Sequence, residues 1–221
     1  MPRGRGHRKQ ALLMLPNLDR HRPDSLQQLM LIRHASTDMA GTLCGQSDPP
    51  LNAAGIKESE SLAQRLQMSS VPYRLYASDL KRAMQTAQPI AKLLRISIMA
   101  RAGLREMDFG EWEGKRWAQI AGNNSGTMGI EALFDVGPPG GETFARFRKR
   151  VLQTLGEVIT ESEGQPVAIV THLGVMVTIL GEFAAATDVW TPPRIDYCGV
   201  CSIGIKADVL EKFASRTSTA R

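Results

Sequence analysis

The chain has 221 residues, 43% of them hydrophobic and 22% charged, which suits one domain able to bury roughly 70% of the surface its unfolded form exposes, without disulfide or metal staples. The formal charge of +5 is gathered in residues 1–22, which hold six Lys or Arg and one acid; the other 21 basic and 21 acidic residues cancel. A globally basic, nucleic-acid-binding body is therefore excluded, any cationic site must be local, and the absence of a run of about 18 apolar residues predicts no membrane-spanning helix.

Residues 1–27 read as a basic, flexible arm whose apolar stretch, 11–15, is too short for the core of a secretory signal, about 7 to 15 residues. The arm is the chain's only candidate surface for nucleic acid. The three cysteines, Cys44, Cys198 and Cys201, are an odd number, so disulfides are not expected and a cytoplasmic location is. Cys198-Gly-Val-Cys201 leads into a strand pattern and lacks further ligands at zinc spacing, so the pair reads as ordinary buried cysteines.

Four apolar residues, Leu29 to Ile32, run into Arg33 and His34 and read as a strand buried on both faces. A long polar loop, 35–52, follows, and Asn52 caps a helix with Ile56, Leu62, Ala63 and Leu66 on its apolar face. A short strand over 73–78 precedes a helix capped by Ser78 or Asp79, with Ala83, Ala87, Ile90, Ala91 and Leu94 at helical spacing. Arg82 lies in its first turns, where a guanidinium and backbone N–H groups can hold an anion together. After a strand over 96–100 comes Leu104-Arg-Glu-Met-Asp-Phe-Gly-Glu-Trp-Glu-Gly, in which Glu106, Asp108, Glu111 and Glu113 compete for the part of a proton donor, and Phe109, Trp112 and Trp117 are either pocket wall or core.

Residues 118–140 read as an irregular loop or small lid ending in Gly-Pro-Pro-Gly. Gly141-Glu-Thr opens an amphipathic helix with Phe144, Phe147, Val151, Leu155 and Val158 on one face. Val167-Ala-Ile-Val-Thr-His repeats the first arrangement, a buried strand that delivers His172, followed by a nearly all-apolar helix from Leu173 to about Ala186. A last strand over 198–206 closes the body at 28–206, and 207–221 form a polar tail. The alternation predicts an α/β three-layer α/β/α sandwich with a mostly parallel sheet. Ligands bind beyond the carboxyl ends of parallel strands, where His34, His172 and Arg33 all fall. Guanidiniums that bind phosphoryl oxygens beside an imidazole that attacks phosphorus would make one working set.

The same residues resemble a known family. Leu31-Ile-Arg-His-Ala-Ser-Thr is similar to the signature of the histidine phosphatase superfamily, which includes the cofactor-dependent phosphoglycerate mutases and the α-ribazole phosphatases. Gly45-Gln-Ser-Asp-Pro-Pro-Leu, Ser78-Asp-Leu-Lys-Arg-Ala-Met-Gln-Thr-Ala, the block from Leu104, Gly140-Gly-Glu-Thr and Val170-Thr-His follow in order, over about residues 29–205. The resemblance implies that His34 is the nucleophile, that Arg33, Arg82 and His172 hold the phosphoryl oxygens, and that Glu106 protonates the departing alkoxide and then activates water. Thr37, Gly45, Gln46 and Leu173 would line the phosphate and substrate site, with no metal or cofactor.

Ala35, Ser36, Ala40 and Leu173 depart from the residues usual in the family near the phosphate loop; none of the five catalytic positions does, so these changes read as tuning. The short stretch between Glu106 and Gly140 resembles the compact phosphatase branch, since a short lid that admits water favours hydrolysis over return of the phosphoryl group. A small phosphorylated metabolite is the expected partner. α-Ribazole phosphate fits the nearest resemblance, and sugar phosphates, nucleotides and phosphoprotein stay open. The competing readings are a 2,3-bisphosphoglycerate-dependent mutase and a non-catalytic phospho-ligand or RNA-binding adaptor. A homodimer through the open sheet edge is compatible with the pattern.

Overall fold

The computed structural model describes residues 26–67, 74–124, 136–183, 195–206, 208–210 and 213. Five strands form one sheet in the order β3-β2-β4-β1-β5: β1 (Leu26–Arg33), β2 (Arg74–Ala77), β3 (Ile98–Ala100), β4 (Val167–Thr171) and β5 (Val200–Lys206). β1, β2, β3 and β4 are mutually parallel, and β5 runs antiparallel along the outside of β1. The unbroken apolar character of β4 follows from its place between β2 and β1, where all five residues are buried.

Alternate side chains of each strand feed opposite layers. Leu29, Leu31, Tyr76 and Ile169 join a core with α4 (Phe144–Ser162) and α5 (Leu173–Phe183). Ile32, Leu75, Ala77, Ala168 and Val170 join a second core with α1 (Ala53–Gln67) and α2 (Lys81–Leu94). The result is the three-layer α/β/α sandwich that the pattern predicted. β1 starts at Leu26 with Gln27 buried, and Phe213 packs into the first core, so chain assigned to arm and tail belongs to the body at both ends. Residues 1–25 lie outside the described residues, as does most of the tail.

Several local expectations need correction. Ile56 is 51% exposed; α1 turns Gly55, Ser59, Leu62, Ala63 and Leu66 inward instead, because its first turn faces the loop after β1 rather than the sheet. Asn52 does cap α1, its Oδ1 accepting the Gly55 N–H at 2.8 Å. Neither Ser78 nor Asp79 caps α2: Leu80 holds the N-cap position without a side-chain bond, and Asp48 reaches from the preceding loop to accept the Lys81 N–H at 2.6 Å. β3 starts at Ile98 and β5 at Val200, each two residues later than the pattern suggested. Residues 117–124 are a helix, α3 (Trp117–Asn124), rather than irregular chain, and Ile120 is buried against Trp112 where short apolar spacing gave no clear period. Residues 125–135 and the expected end of the last helix, 184–186, lie outside the described residues. No helix among the described residues is long and apolar enough to cross a membrane.

Candidate active site

Parallel pairing brings three strand ends to one edge. β1 ends at Arg33 with His34 next, β4 at Thr171 with His172 next, and β2 at Ala77 with Ser78 next. The His34 N–H donates to the Thr171 carbonyl at 2.8 Å and the Ser78 N–H to the Val170 carbonyl at 3.0 Å, so all three residues are held in register with β4. The two imidazole rings stand 5.1 Å apart, tilted by 58°. Arg82 enters from the first turn of α2 and is completely buried. Its Nη1 donates to the Ser47 carbonyl at 2.7 Å and its Nη2 to the Gly45 carbonyl at 2.6 Å, which ties the loop after β1 to the guanidinium.

That loop is pinned along its length. The Ala35 N–H donates to Thr86 Oγ1 at 2.9 Å, and the Ser36 N–H and hydroxyl both donate to Glu58, each at 2.9 Å. A Cβ on Gly55 would collide with the Ser36 carbonyl, so glycine there is what lets α1 approach. Glu113 accepts the Gln46 and Ser47 N–H groups at 2.6 Å each, together with the Ser47 hydroxyl. Three of the four departures noted in the sequence have a local setting that accounts for them: Ala35 is buried core, Ser36 spends its hydroxyl on α1, and Ala40 is exposed.

Of the four acids that compete on composition, only Glu106 lines the cavity at this edge. Asp108 accepts the Gly110 N–H at 2.9 Å, Glu111 is exposed, and Glu113 is engaged by the loop. The Glu106 carboxylate accepts the Met107 N–H at 2.9 Å and the Gly174 N–H at 3.0 Å, and a Cβ at Gly174 would clash with it. Behind it, Arg150 of α4 clamps the backbone. Its Nη1 donates to the carbonyls of Gly103 and Arg105 at 2.9 and 3.0 Å, its Nη2 to that of Glu106 at 3.3 Å, and its Nε and Nη2 pair with Glu142 at 3.0 and 2.8 Å. Arg33 is braced from the other side: its Nη1 donates to the Ile195 carbonyl at 2.5 Å and its guanidinium lies 4.1 Å from the Tyr197 ring centre.

Burial, reinforced by the Arg82 and then the Arg33 charge, lowers the pKa of His34 to about 3, and burial first and the neighbouring cations after it push His172 well below the ordinary imidazole value. Both rings are neutral. The His34 Nδ1 lies 2.7 Å from the Ala35 carbonyl, an acceptor, which assigns the ring proton to Nδ1 and leaves the lone pair on Nε2. Between the ordinary value of 6.5 and about 3 the unfolded chain binds protons that these rings refuse, so stability is fully present above pH 6.5 and falls as pH drops through that window. Melting temperatures measured from pH 7 to 4 are expected to decline more steeply for the wild type than for His34→Ala; parallel slopes would show that His34 is not the source.

Around these groups lies a cavity of about 560 Å³. Arg33, His34, Arg82 and Glu106 line it, as do Thr37, Gly45 and Leu173. Two expected members do not reach its wall: Gln46, whose N–H is held by Glu113, and His172, which sits behind His34 with its Nε2 2.9 Å from Ser78 Oγ. Thr86, Glu58, Arg150 and Tyr197 were missed in the sequence, and Glu113, named there only as a possible proton donor, holds the 46–47 loop instead. Ser78 alone carried a signal, since it follows β2 as the histidines follow their strands. Among the described residues no group of three or more His, Cys, Asp or Glu is placed to hold a metal ion.

Over 157 residues the chain is 32% identical to a metal-independent phosphoserine phosphatase of Arabidopsis thaliana, an overlap that covers 67% of this chain and 65%, just under two thirds, of that protein. It is 30% identical over 164 residues to a Proteus mirabilis protein named probable phosphoglycerate mutase GpmB, covering 70% of this chain and 75% of the other. The α-ribazole phosphatase structure from Shigella flexneri matches with a TM-score of 0.67 at 26% identity, over 80% of this chain and 89% of that one. Residues 29–212 match the family model of the histidine phosphatase superfamily, branch 1, and with 184 of 221 positions inside that match the chain belongs to this superfamily.

Proposed function

We propose that the protein is a metal-independent phosphomonoesterase that works through a phosphohistidine on His34 and acts on a small phosphorylated metabolite. One observation carries the reading. Among the described residues, the buried side-chain nitrogens without a hydrogen-bond partner are Arg33 Nε, Arg82 Nε and His172 Nδ1, and neither arginine pairs with a carboxylate. Buried cations without a counter-charge are costly, and a phosphoryl group bound in the cavity that Arg33 and Arg82 line supplies the acceptors and the negative charge that relieve the two guanidiniums.

In the first step the lone pair on His34 Nε2 attacks phosphorus, the bond from phosphorus to the ester oxygen breaks, and protonated Glu106 gives its proton to that oxygen. In the second, Glu106 takes a proton from water as the water oxygen attacks phosphorus, the N–P bond breaks, and phosphate and neutral His34 are regenerated. Arg33 and Arg82 stabilise the charge that spreads over the equatorial oxygens, and His172 packs behind the His34 ring. Carbonyl anchors hold both guanidiniums in place before substrate arrives, so little reorganisation accompanies the reaction. α-Ribazole phosphate, suggested by the name of the Shigella neighbour, is one candidate metabolite. The three free cysteines support a cytoplasmic setting.

Hydrolysis of p-nitrophenyl phosphate with EDTA present is expected, with an acid-labile phosphoryl group found by mass spectrometry on His34. No turnover and no phosphoenzyme would sink the reading and favour a binding role.

A further inference from the structure

We propose that the alcohol part of the substrate is an uncharged, apolar group of aryl size, and that esters bearing a second ionised group are discriminated against. The inference rests on the phosphatase reading above and specifies the substrate class of the same site. The cavity is chemically divided. Arg33, Arg82 and Glu106 are its only charged lining side chains among the described residues; the two arginines act on the His34 ring, and Glu106 is held by the Gly174 N–H two residues beyond His172. The rest of the wall is built from Met39 and Leu43 of the loop after β1, Phe109 and Trp117 around α3, and Phe144 and Val177 of the helices on the far side. Thr42, Cys44 and Thr178 add small polar groups without charge.

Three of the ions around the site are committed to partners of their own. Arg105 pairs with Asp79, Arg150 with Glu142, and Glu113 with the 46–47 backbone. Once the phosphoryl group occupies Arg33 and Arg82, a carboxylate on the leaving group would be moved out of water against apolar walls whose described lining residues offer no further cation, which is unfavourable unless a pair forms. An uncharged ring loses nothing by the same transfer and gains from burying its apolar surface against Phe109, Trp117 and Phe144. About 560 Å³ is also more room than a phosphate alone needs and lies in the range of cavities that enclose a metabolite-sized ligand, about 300 to 1,000 Å³. By this argument the zwitterionic head of phosphoserine and the carboxylate of a phosphoglycerate both fit poorly.

The test compares two para-substituted phenyl esters, 4-methylphenyl phosphate, whose ring is uncharged, and 4-carboxyphenyl phosphate, which carries a second ionised group. The wild type is expected to favour the methyl ester in kcat/KM by about 100-fold or more. Val177→Arg, which sets a cation on the apolar wall, is expected to shrink that ratio by about tenfold, through a lower KM for the carboxylate. Equal kcat/KM for the two esters, with phosphoenzyme still formed on His34, overturns the substrate class and leaves the phosphatase standing. Turnover of neither ester and no phosphoenzyme overturns the phosphatase reading itself. Should the Val177→Arg chain fail to fold, the wild-type comparison decides alone.

Discussion

Replacing His34 with alanine is expected to lower kcat by at least about 10⁴-fold and to abolish phosphoenzyme. Among the described residues the imidazole's one hydrogen bond is to the neighbouring Ala35 carbonyl, so its removal cuts no tie between the described elements. Arg33 and Arg82 stay anchored on the Ile195, Ser47 and Gly45 carbonyls. The variant should therefore fold and still bind inorganic phosphate within about tenfold of the wild type, because charge-assisted contacts to the anion are retained. Loss of phosphate binding together with turnover would mean that His34 builds the anion site rather than attacking within it. Turnover near the wild-type rate would remove His34 from the mechanism altogether.

The second large effect belongs to Glu106 and depends on the leaving group. Glu106→Gln is expected to slow hydrolysis of an alkyl phosphate by about 10²- to 10⁴-fold, because an alkoxide must be protonated as it departs. With p-nitrophenyl phosphate the first step needs little acid assistance. Phosphoenzyme should then accumulate, since no base remains to activate water, and a burst of p-nitrophenolate should precede slow turnover. An equal loss for both esters, without a burst, would assign Glu106 to binding. Arg150→Met is expected to produce a weaker version of the same signature, with KM little changed, because Arg150 is outside the cavity lining and its hydrogen bonds go to the backbone that carries Glu106 and to its partner Glu142. Arg150→Lys should not restore the rate, as one ammonium cannot serve three carbonyls and a bidentate carboxylate. A uniform loss across both esters in Arg150→Met would mark the residue as merely structural.

The contrast between Arg150 and His34 shows where local pattern stops being informative. In the sequence Arg150 is one of several basic residues on the polar face of an amphipathic helix, and nothing in the 3.6-residue period separates a clamp from a solvated charge. Only the packing of α4 against the 103–106 turn turns it inward. Tyr197 and the Ile195 carbonyl reach Arg33 for the same kind of reason. They precede β5, whose antiparallel pairing along β1 folds residues 195–199 back over the strand end. Strand direction at a sheet edge is set by long-range contacts and leaves no mark in periodicity.

What the sequence by itself determined is what adjacency and period control. Apolar runs at 29–32 and 167–171 dictate central strands, their following residues must emerge at the same edge of a parallel sheet, and His34, His172 and Arg33 are placed there with no further information. The helical faces of α2 and α4 follow from spacing in the same way, and the ordered motifs pointed to the superfamily. What only the tertiary structure decided is which polar groups meet across tens of residues. It separated Glu106 from Asp108, Glu111 and Glu113, set His172 behind His34 rather than in the wall, and joined Glu113 to the 45–47 loop and Arg150 to the Glu106 turn. The physical reason is that burial of apolar faces is read from composition and period, whereas hydrogen bonds and ion pairs are short-ranged and directional, so their partners exist only once packing has fixed the backbone to within a fraction of an ångström.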